Sequence, residues 1–221
     1  MCGRFTLRAK FQALADYFGV GTLQPLDLRP RYNVAPTQRV FTLRLDDDGQ
    51  RQFALLRWGL IPSWAKDEKI GNSLINARAE TVATKPSFRS AFVKRRCLVV
   101  ADGYYEWQKT DAGKQPYLIH RPDDAPFGFA GLWERWGPDK LESCTIITTE
   151  ASDPLRHLHD RMPIILDPEA WPLWLDPGVE GKAVLQSLLR PSSVPLETRA
   201  VSTVVNSPRN DVPECVEAIA L

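Results

Sequence analysis

Long apolar runs are missing from this chain: none approaches the roughly 20 residues that cross a bilayer. The start, MCGRFTLRAK, has no apolar stretch behind its positive charges, so a secretory signal is not expected and a cytosolic location is. Cysteine is sparse. Cys2, Cys97, Cys144 and Cys215 stand far apart with no C-x-x-C pair, which argues against a thiolate zinc site and against a disulfide framework. Repeats, low-complexity tracts and linker-like stretches are also lacking, so one domain over residues 1–221 is expected. With 43% hydrophobic and 25% charged residues, the composition excludes a disordered chain, a coiled coil and collagen.

Net charge is +1, but it is unevenly spread. Residues 1–110 carry 18 Lys/Arg against 10 Asp/Glu, a balance of +8; residues 111–221 carry 10 against 17, a balance of −7. Either the halves pair with each other, or the first half offers a basic face to a polyanion.

Periodicity places a short amphipathic helix over residues 9–18, through Phe11, Leu14, Ala15 and Phe18. Arg39–Leu45 and Gln52–Trp58 flank DDDGQ and read as a hairpin. Pro86–Arg95, Asp167–Leu175 and Gly181–Leu189 read as helices. Cys97–Ala101, Tyr104–Gln108, Pro116–His120, Phe127–Trp133, Ser143–Thr148 and Thr198–Val204 read as strands. Strands broken by helices without βαβ alternation predict an α+β fold, with a mainly antiparallel sheet or barrel and short flanking helices.

Four segments carry chemistry. Removal of Met1 before a small residue leaves Cys2 with an α-amine beside its thiol. That amine titrates near pH 7.7–8.0, so part of it is a neutral nucleophile at pH 7. A 1,2-aminothiol condenses with an aldehyde to an imine, then closes a thiazolidine through sulfur. A frayed terminus with an incidental cysteine is the plain alternative. Cys97 and Cys144 lie in apolar runs and read as small buried hydrophobes, whereas Cys2 has no such neighbourhood in the sequence.

ADGYYEW (101–107) suggests a tight turn at Asp102-Gly103. The strand after it sets Tyr104, Glu106 and Gln108 on one face, with Tyr105 and Trp107 on the other. A carboxyl among aromatics is desolvated and becomes a proton donor near neutrality; a surface glutamate is the alternative. In HLHDRMP (157–163), His157 and His159 would share one strand face, yet no further ligands cluster with them and no metal is expected. Asp160 and Arg161 read as a local ion pair. In LINARAET (74–81), Asn76 and Arg78 would share a strand face, Arg78 suited to gripping a phosphate. RYNVAP (31–36) and WGLIPSW (58–64) are polar, aromatic and proline-bearing loops of the kind that stack on or wedge between unpaired bases, with Trp58 read as core packing.

Together MCGRF, RYNVAPTQ, WGLIPSW, NARAET, FVKRRCLVVADGYYEW, HDRMPIIL and VNSPRNDVPE resemble, in that order, the SOS-response-associated peptidase (SRAP) family. The resemblance runs through nearly the whole chain. It implies a single α+β domain, a groove for single-stranded DNA, and covalent capture of abasic sites through the N-terminal cysteine. On matched positions it implies Cys2, Asn76, Glu106 and His159 as catalytic residues. It implies DNA contacts by Arg4, Asn33, Pro36, Trp64, Arg78 and Arg161. The family name also implies a peptidase that removes the residue before Cys2, a task a general methionine aminopeptidase could also perform on Met1. PSWAKDEK carries one tryptophan where some relatives show a longer aromatic cluster. No cofactor is expected, and the protein is expected to act as a monomer, nucleoid-associated when bound to damaged DNA. Two other readings stay open on the residues alone. One is an N-terminal-nucleophile amidohydrolase of the glutamine type, in which the α-amine serves as base for the thiol. The other is a non-enzymatic single-stranded DNA-binding module.

Overall fold

The computed structural model describes residues 2–21, 29–111 and 113–220. In chain order these form β1 (Phe5–Leu7), α1 (Phe11–Phe18), β2 (Arg31–Val34), β3 (Arg39–Leu45), β4 (Arg51–Trp58) and β5 (Asn76–Arg78). There follow α2 (Arg89–Lys94), β6 (Arg96–Ala101), β7 (Gly103–Thr110), β8 (Gly113–His120), β9 (Phe127–Trp136), β10 (Leu141–Glu150) and β11 (Arg161–Pro163). The chain continues through α3 (Trp171–Leu175), α4 (Lys182–Ser187) and β12 (Glu197–Ala200). The fold is α+β, as the strand-rich pattern predicts.

Five strands close a barrel, in the order β10-β4-β3-β6-β9 with β9 pairing back onto β10. The hairpin β3–β4 is antiparallel from Arg39↔Arg57 to Leu45↔Arg51, which matches the expected pair around DDDGQ. All five strands contribute to one apolar cluster, through Val40, Leu56, Val99, Phe129 and Ile146, and that cluster is the barrel interior. Their outer faces join α1, α2 and α3 in a second cluster that includes Phe18, Phe92 and Trp174. β6 is buried on both faces, so CLVVA after Arg96 reads as an unbroken apolar run instead of an alternating one.

A second sheet, β12-β8-β7-β1-β2, lies against the barrel. The chain passes from one sheet to the other at a single residue, Asp102, between the end of β6 and the start of β7. The expected tight turn at Asp102-Gly103 is therefore a bend that changes sheets. Its carboxylate accepts from Thr6 Oγ1 at 2.6 Å, from Ala9 N at 3.0 Å and from Arg8 N. Asp102 is thus the buried peg that fixes the end of β1. Phe5 then reaches the barrel interior, with its ring 5.1 Å from Trp58 and 6.1 Å from Phe129.

The expected helices are shorter than their sequence spans. Over Asp167–Leu175, a 3-10 turn at Pro168–Ala170 precedes α3, where Pro172 stands in the first turn and needs no donor. The late strand Thr198–Val204 becomes β12, followed by a 3-10 turn at Thr203–Asn206. Among the described residues two pairings are parallel: β10 with β4 and β10 with β5. In WGLIPSW, Gly59 (φ 123°) lies against Gly71 so closely that a Cβ on Gly59 would come 2.5 Å from the Gly71 carbonyl oxygen. No helix among the described residues is long and apolar enough to cross a membrane.

Candidate functional site

The start of the chain is drawn into the protein. β1 pairs antiparallel with β7 through Phe5↔Tyr104 and Thr6↔Gly103, and Tyr105 N donates to Arg4 O at 3.0 Å. This register runs residues 2–4 back beside Tyr105–Trp107. Cys2 is fully buried, in the same cluster as Phe5, Tyr104 and the barrel residues. Its sequence context showed no apolar neighbourhood; its tertiary context supplies one. Burial pushes the thiol pKa well above its ordinary value, and the charge of Glu106 pushes in the same direction.

Asn76 lies at the start of β5, held by parallel pairing to β10 through Ile146. Its side-chain Nδ2 donates to the Cys2 carbonyl at 2.7 Å. The buried Oδ1 has no hydrogen-bond partner among the described residues. Asn76 and Arg78 flank the buried Ala77 on a common face, as a period of two requires, and Arg78 is exposed.

Glu106 follows Tyr104 on one face of β7 and is 5% exposed. Burial raises its carboxyl pKa to about 7, and the charge of Asp160 adds to the rise. A group poised there exists in both protonation states at neutral pH, which is what proton donation and return require.

His159 sits in the loop between β10 and β11, so His157 and His159 do not share the strand face that their spacing implied. The Arg161 backbone N–H donates to His159 Nδ1 at 2.9 Å. That bond puts the proton of the neutral ring on Nε2. The Asp160 carboxylate lies 2.6 Å from the same Nδ1, a contact that becomes attractive only once the ring is protonated. Burial lowers the His159 pKa, so the neutral form and the backbone bond prevail near pH 7. Asp160 lies against the His159 ring, while the guanidinium of Arg161, the partner the sequence suggested for it, takes Glu80 instead.

Glu106 and His159 line one open cavity of about 440 Å³ together with Arg4, Trp107, Lys114 and Asn206. Across the His159–Asp160 loop lies a second, of about 320 Å³, lined by Arg78, Glu150, Arg156, Asp160 and Arg161. Trp107 and Asn206 belong to the wall of the first: Trp107 Nε1 donates to Asn206 Oδ1 at 2.7 Å. Asn206 was not legible as a site residue, since nearly a hundred residues separate it from its partner.

The other expected surface residues divide by exposure. Trp64 is 58% exposed, Pro36 is half-buried and Trp58 is fully buried, donating from Nε1 to Ile75 O at 2.9 Å. Asn33 is also fully buried. Its Nδ2 faces the carbonyls of Val205, Ser207 and Asn210 at 2.7–3.1 Å, and its Oδ1 accepts from Arg4 at 2.8 Å. The side chain of Asn33 is a tie between β2 and the C-terminal segment, not a group presented to solvent. Arg4 also bonds Val205 O and Asn206 O, so it builds the cavity wall as well as lining it.

A model of the SOS response associated peptidase family matches residues 1–208. The chain belongs to this SRAP family. It is 45% identical over 224 residues to the abasic site processing protein YoqW of Bacillus subtilis, covering 99% of this chain and 100% of YoqW. To the abasic site processing protein HMCES of Gallus gallus it is 36% identical over 227 residues, covering 87% of this chain and 67% of HMCES. The fold is similar to the crystal structure of a Bacteroides thetaiotaomicron protein, with a TM-score of 0.87 at 30% identity, over 99% of this chain and 100% of that one. The SRAP match covers every segment that builds the two cavities.

Proposed function

We propose that this protein processes abasic sites, capturing them in single-stranded DNA as a thiazolidine on Cys2 once Met1 is gone. The observation that carries this reading is the convergence on one residue: Asn76 holds the Cys2 carbonyl at 2.7 Å beside a buried Glu106 poised near pH 7. The names of YoqW and HMCES support abasic-site processing as the activity.

An abasic deoxyribose is mostly a closed hemiacetal, with the aldehyde carbon C1′ masked. Protonated Glu106 donates to the ring oxygen and opens it. The neutral α-amine of Cys2 adds to C1′, giving a carbinolamine that loses one water to form an imine. His159, with its proton on Nε2, relays protons in these steps. The thiol then adds through sulfur to the imine carbon while its proton passes to the nitrogen. The net change is aldehyde plus aminothiol to thiazolidine plus water. A thiol kept protonated by burial favours this order, because the amine is the better nucleophile until the imine carbon lies next to sulfur. Asn76 supplies orientation. Arg78, Arg161 and Arg4 supply phosphate attraction without sequence readout, and exposed Trp64 offers a base-stacking face. The protein acts as a monomer in the cytoplasm.

The test uses untagged protein, checked by mass for loss of Met1, and a single-stranded oligonucleotide bearing one abasic site. A denaturant-resistant band, absent for Cys2→Ala and for undamaged DNA, is the expected result. Absence of the band with a free Cys2, or its persistence in Cys2→Ala, overturns the reading.

A further inference from the structure

Arg161 is already committed to an anion in the free protein. Its guanidinium meets Glu80 end-on, NH1 to Oε1 at 2.8 Å and NH2 to Oε2 at 3.0 Å, and NH2 also donates to Thr148 O at 2.7 Å. The side chain is only 12% exposed, whereas that of Glu80 is 48% exposed. Two parallel N–H···O bonds to a planar carboxylate use the same fork that would grip two oxygens of a phosphodiester. Hydrogen bonding to Arg161 holds the Glu80 carboxyl below its ordinary pKa, so the pair is intact at neutral pH. Arg78, two residues before Glu80, is exposed, and its guanidinium makes no hydrogen bond among the described residues.

The two arginines thus stand differently towards a strand entering the smaller cavity. Arg78 meets it free, and Arg161 meets it already carrying an anion. Building on the single-stranded DNA reading above, we infer that Glu80 occupies the phosphate position on Arg161 in the free protein, and that DNA binding requires a backbone phosphate to displace it. Glu80 is then a specificity-determining residue. A single phosphate or a short anion gains little by displacing a bidentate carboxylate. A strand already held at Arg78 and at the aldehyde-capturing residue does so at high effective concentration. The exchange also bears on chemistry, because the Arg161 backbone N–H is the group that holds His159 Nδ1.

The exchange is read by equilibrium binding to an undamaged single-stranded oligonucleotide, which separates affinity from crosslinking. Glu80→Gln keeps the side-chain shape but removes the charge that competes with phosphate. It should tighten binding about three- to tenfold, the scale of one partly exposed ion pair. In an Arg161→Ala background the same Glu80→Gln change should give no gain, since no guanidinium is left to release. Glu80→Ala, with melting temperature checked beside it, repeats the comparison should Gln retain a bond to Arg161. Unchanged or weaker binding by both Glu80 variants makes Glu80 a support for Arg161 and overturns the inference. An equal gain with and without Arg161 reduces the effect to net charge and overturns it too. No binding of single-stranded DNA by the wild-type protein would instead remove the reading on which the inference rests.

Discussion

The Asn76 side chain donates to the Cys2 carbonyl from a strand 74 residues away, while its own oxygen lies buried with no partner among the described residues. An acceptor left bare in the interior costs roughly 1–3 kcal/mol. A donor brought in by a bound sugar would satisfy it on the proposed mechanism. Asn76→Ala should therefore slow crosslinking about 10- to 100-fold, as lost orientation does. Affinity for undamaged single-stranded DNA should stay within about twofold, measured on the same preparation. Equal losses in rate and affinity would make Asn76 a DNA contact instead.

Glu106 sets a pH dependence with a defined sign. Its carboxyl is raised by burial from 4.5 to about 7. As the acid that opens the sugar, it is active while protonated, so the rate of capture should fall as pH rises through 7. The Cys2 amine works in the opposite direction, losing its proton near pH 8, and the profile should be a bell. Glu106→Gln should slow capture and remove the alkaline limb. Single-turnover crosslinking from pH 5 to 9 gives both limbs.

The same shift affects stability. A carboxyl raised on folding favours the native state below its unfolded pKa, and that contribution is lost as pH rises through the folded value. Wild type should lose stability relative to Glu106→Gln between pH 4.5 and 7, by on the order of 3 kcal/mol at pH 8. Thermal melts of both proteins at pH 4 and pH 8 measure it; a gap that does not widen with pH contradicts the assignment.

All four thiols are buried, and burial raises the pKa of each. Native protein should label slowly with a thiolate-selective reagent, and unfolded protein should release four equivalents. Rapid native labelling of one thiol, mapped to Cys2 by mass, would show that the site opens more readily than its packing implies.

Asp102→Asn should destabilise by about 2–4 kcal/mol, because a buried carboxylate holding Thr6, Arg8 and Ala9 becomes a neutral amide with one acceptor. Crosslinking should fall with it, since the peg that fixes β1 also fixes Cys2. Denaturant melts set beside crosslink rates test the link; full activity at reduced stability would uncouple them.

What the sequence disclosed and what it hid follow from range. Hairpin β3–β4 and strand β7 were legible because period-two alternation is local, and Glu106 could be set among aromatics from that alternation alone. The strands β5 and β11, three residues each, are too short to show a period, yet they carry Asn76 and Arg161. Asn33 sits in a polar loop motif that reads as a surface, and only the C-terminal segment, 172–177 residues later, turns it inward. Likewise Arg161 has Asp160 beside it in sequence but takes Glu80, 81 residues back, because β5 and β11 both pair with β10. Motif resemblance singled out the candidate reactive residues Cys2, Asn76, Glu106 and His159. It gave no sign that one of the expected phosphate contacts already holds a carboxylate.

The burial of Cys2 has a consequence in time. Its first strand partners with β7 and its carbonyl with Asn76, and neither exists while the ribosome is still making the first 75 residues or so. At about 5–20 residues per second, the nascent end stays open for several seconds. On the proposed mechanism, removal of Met1 has those seconds in which to act on an open chain, before β5 and β7 form and Cys2 packs into the interior.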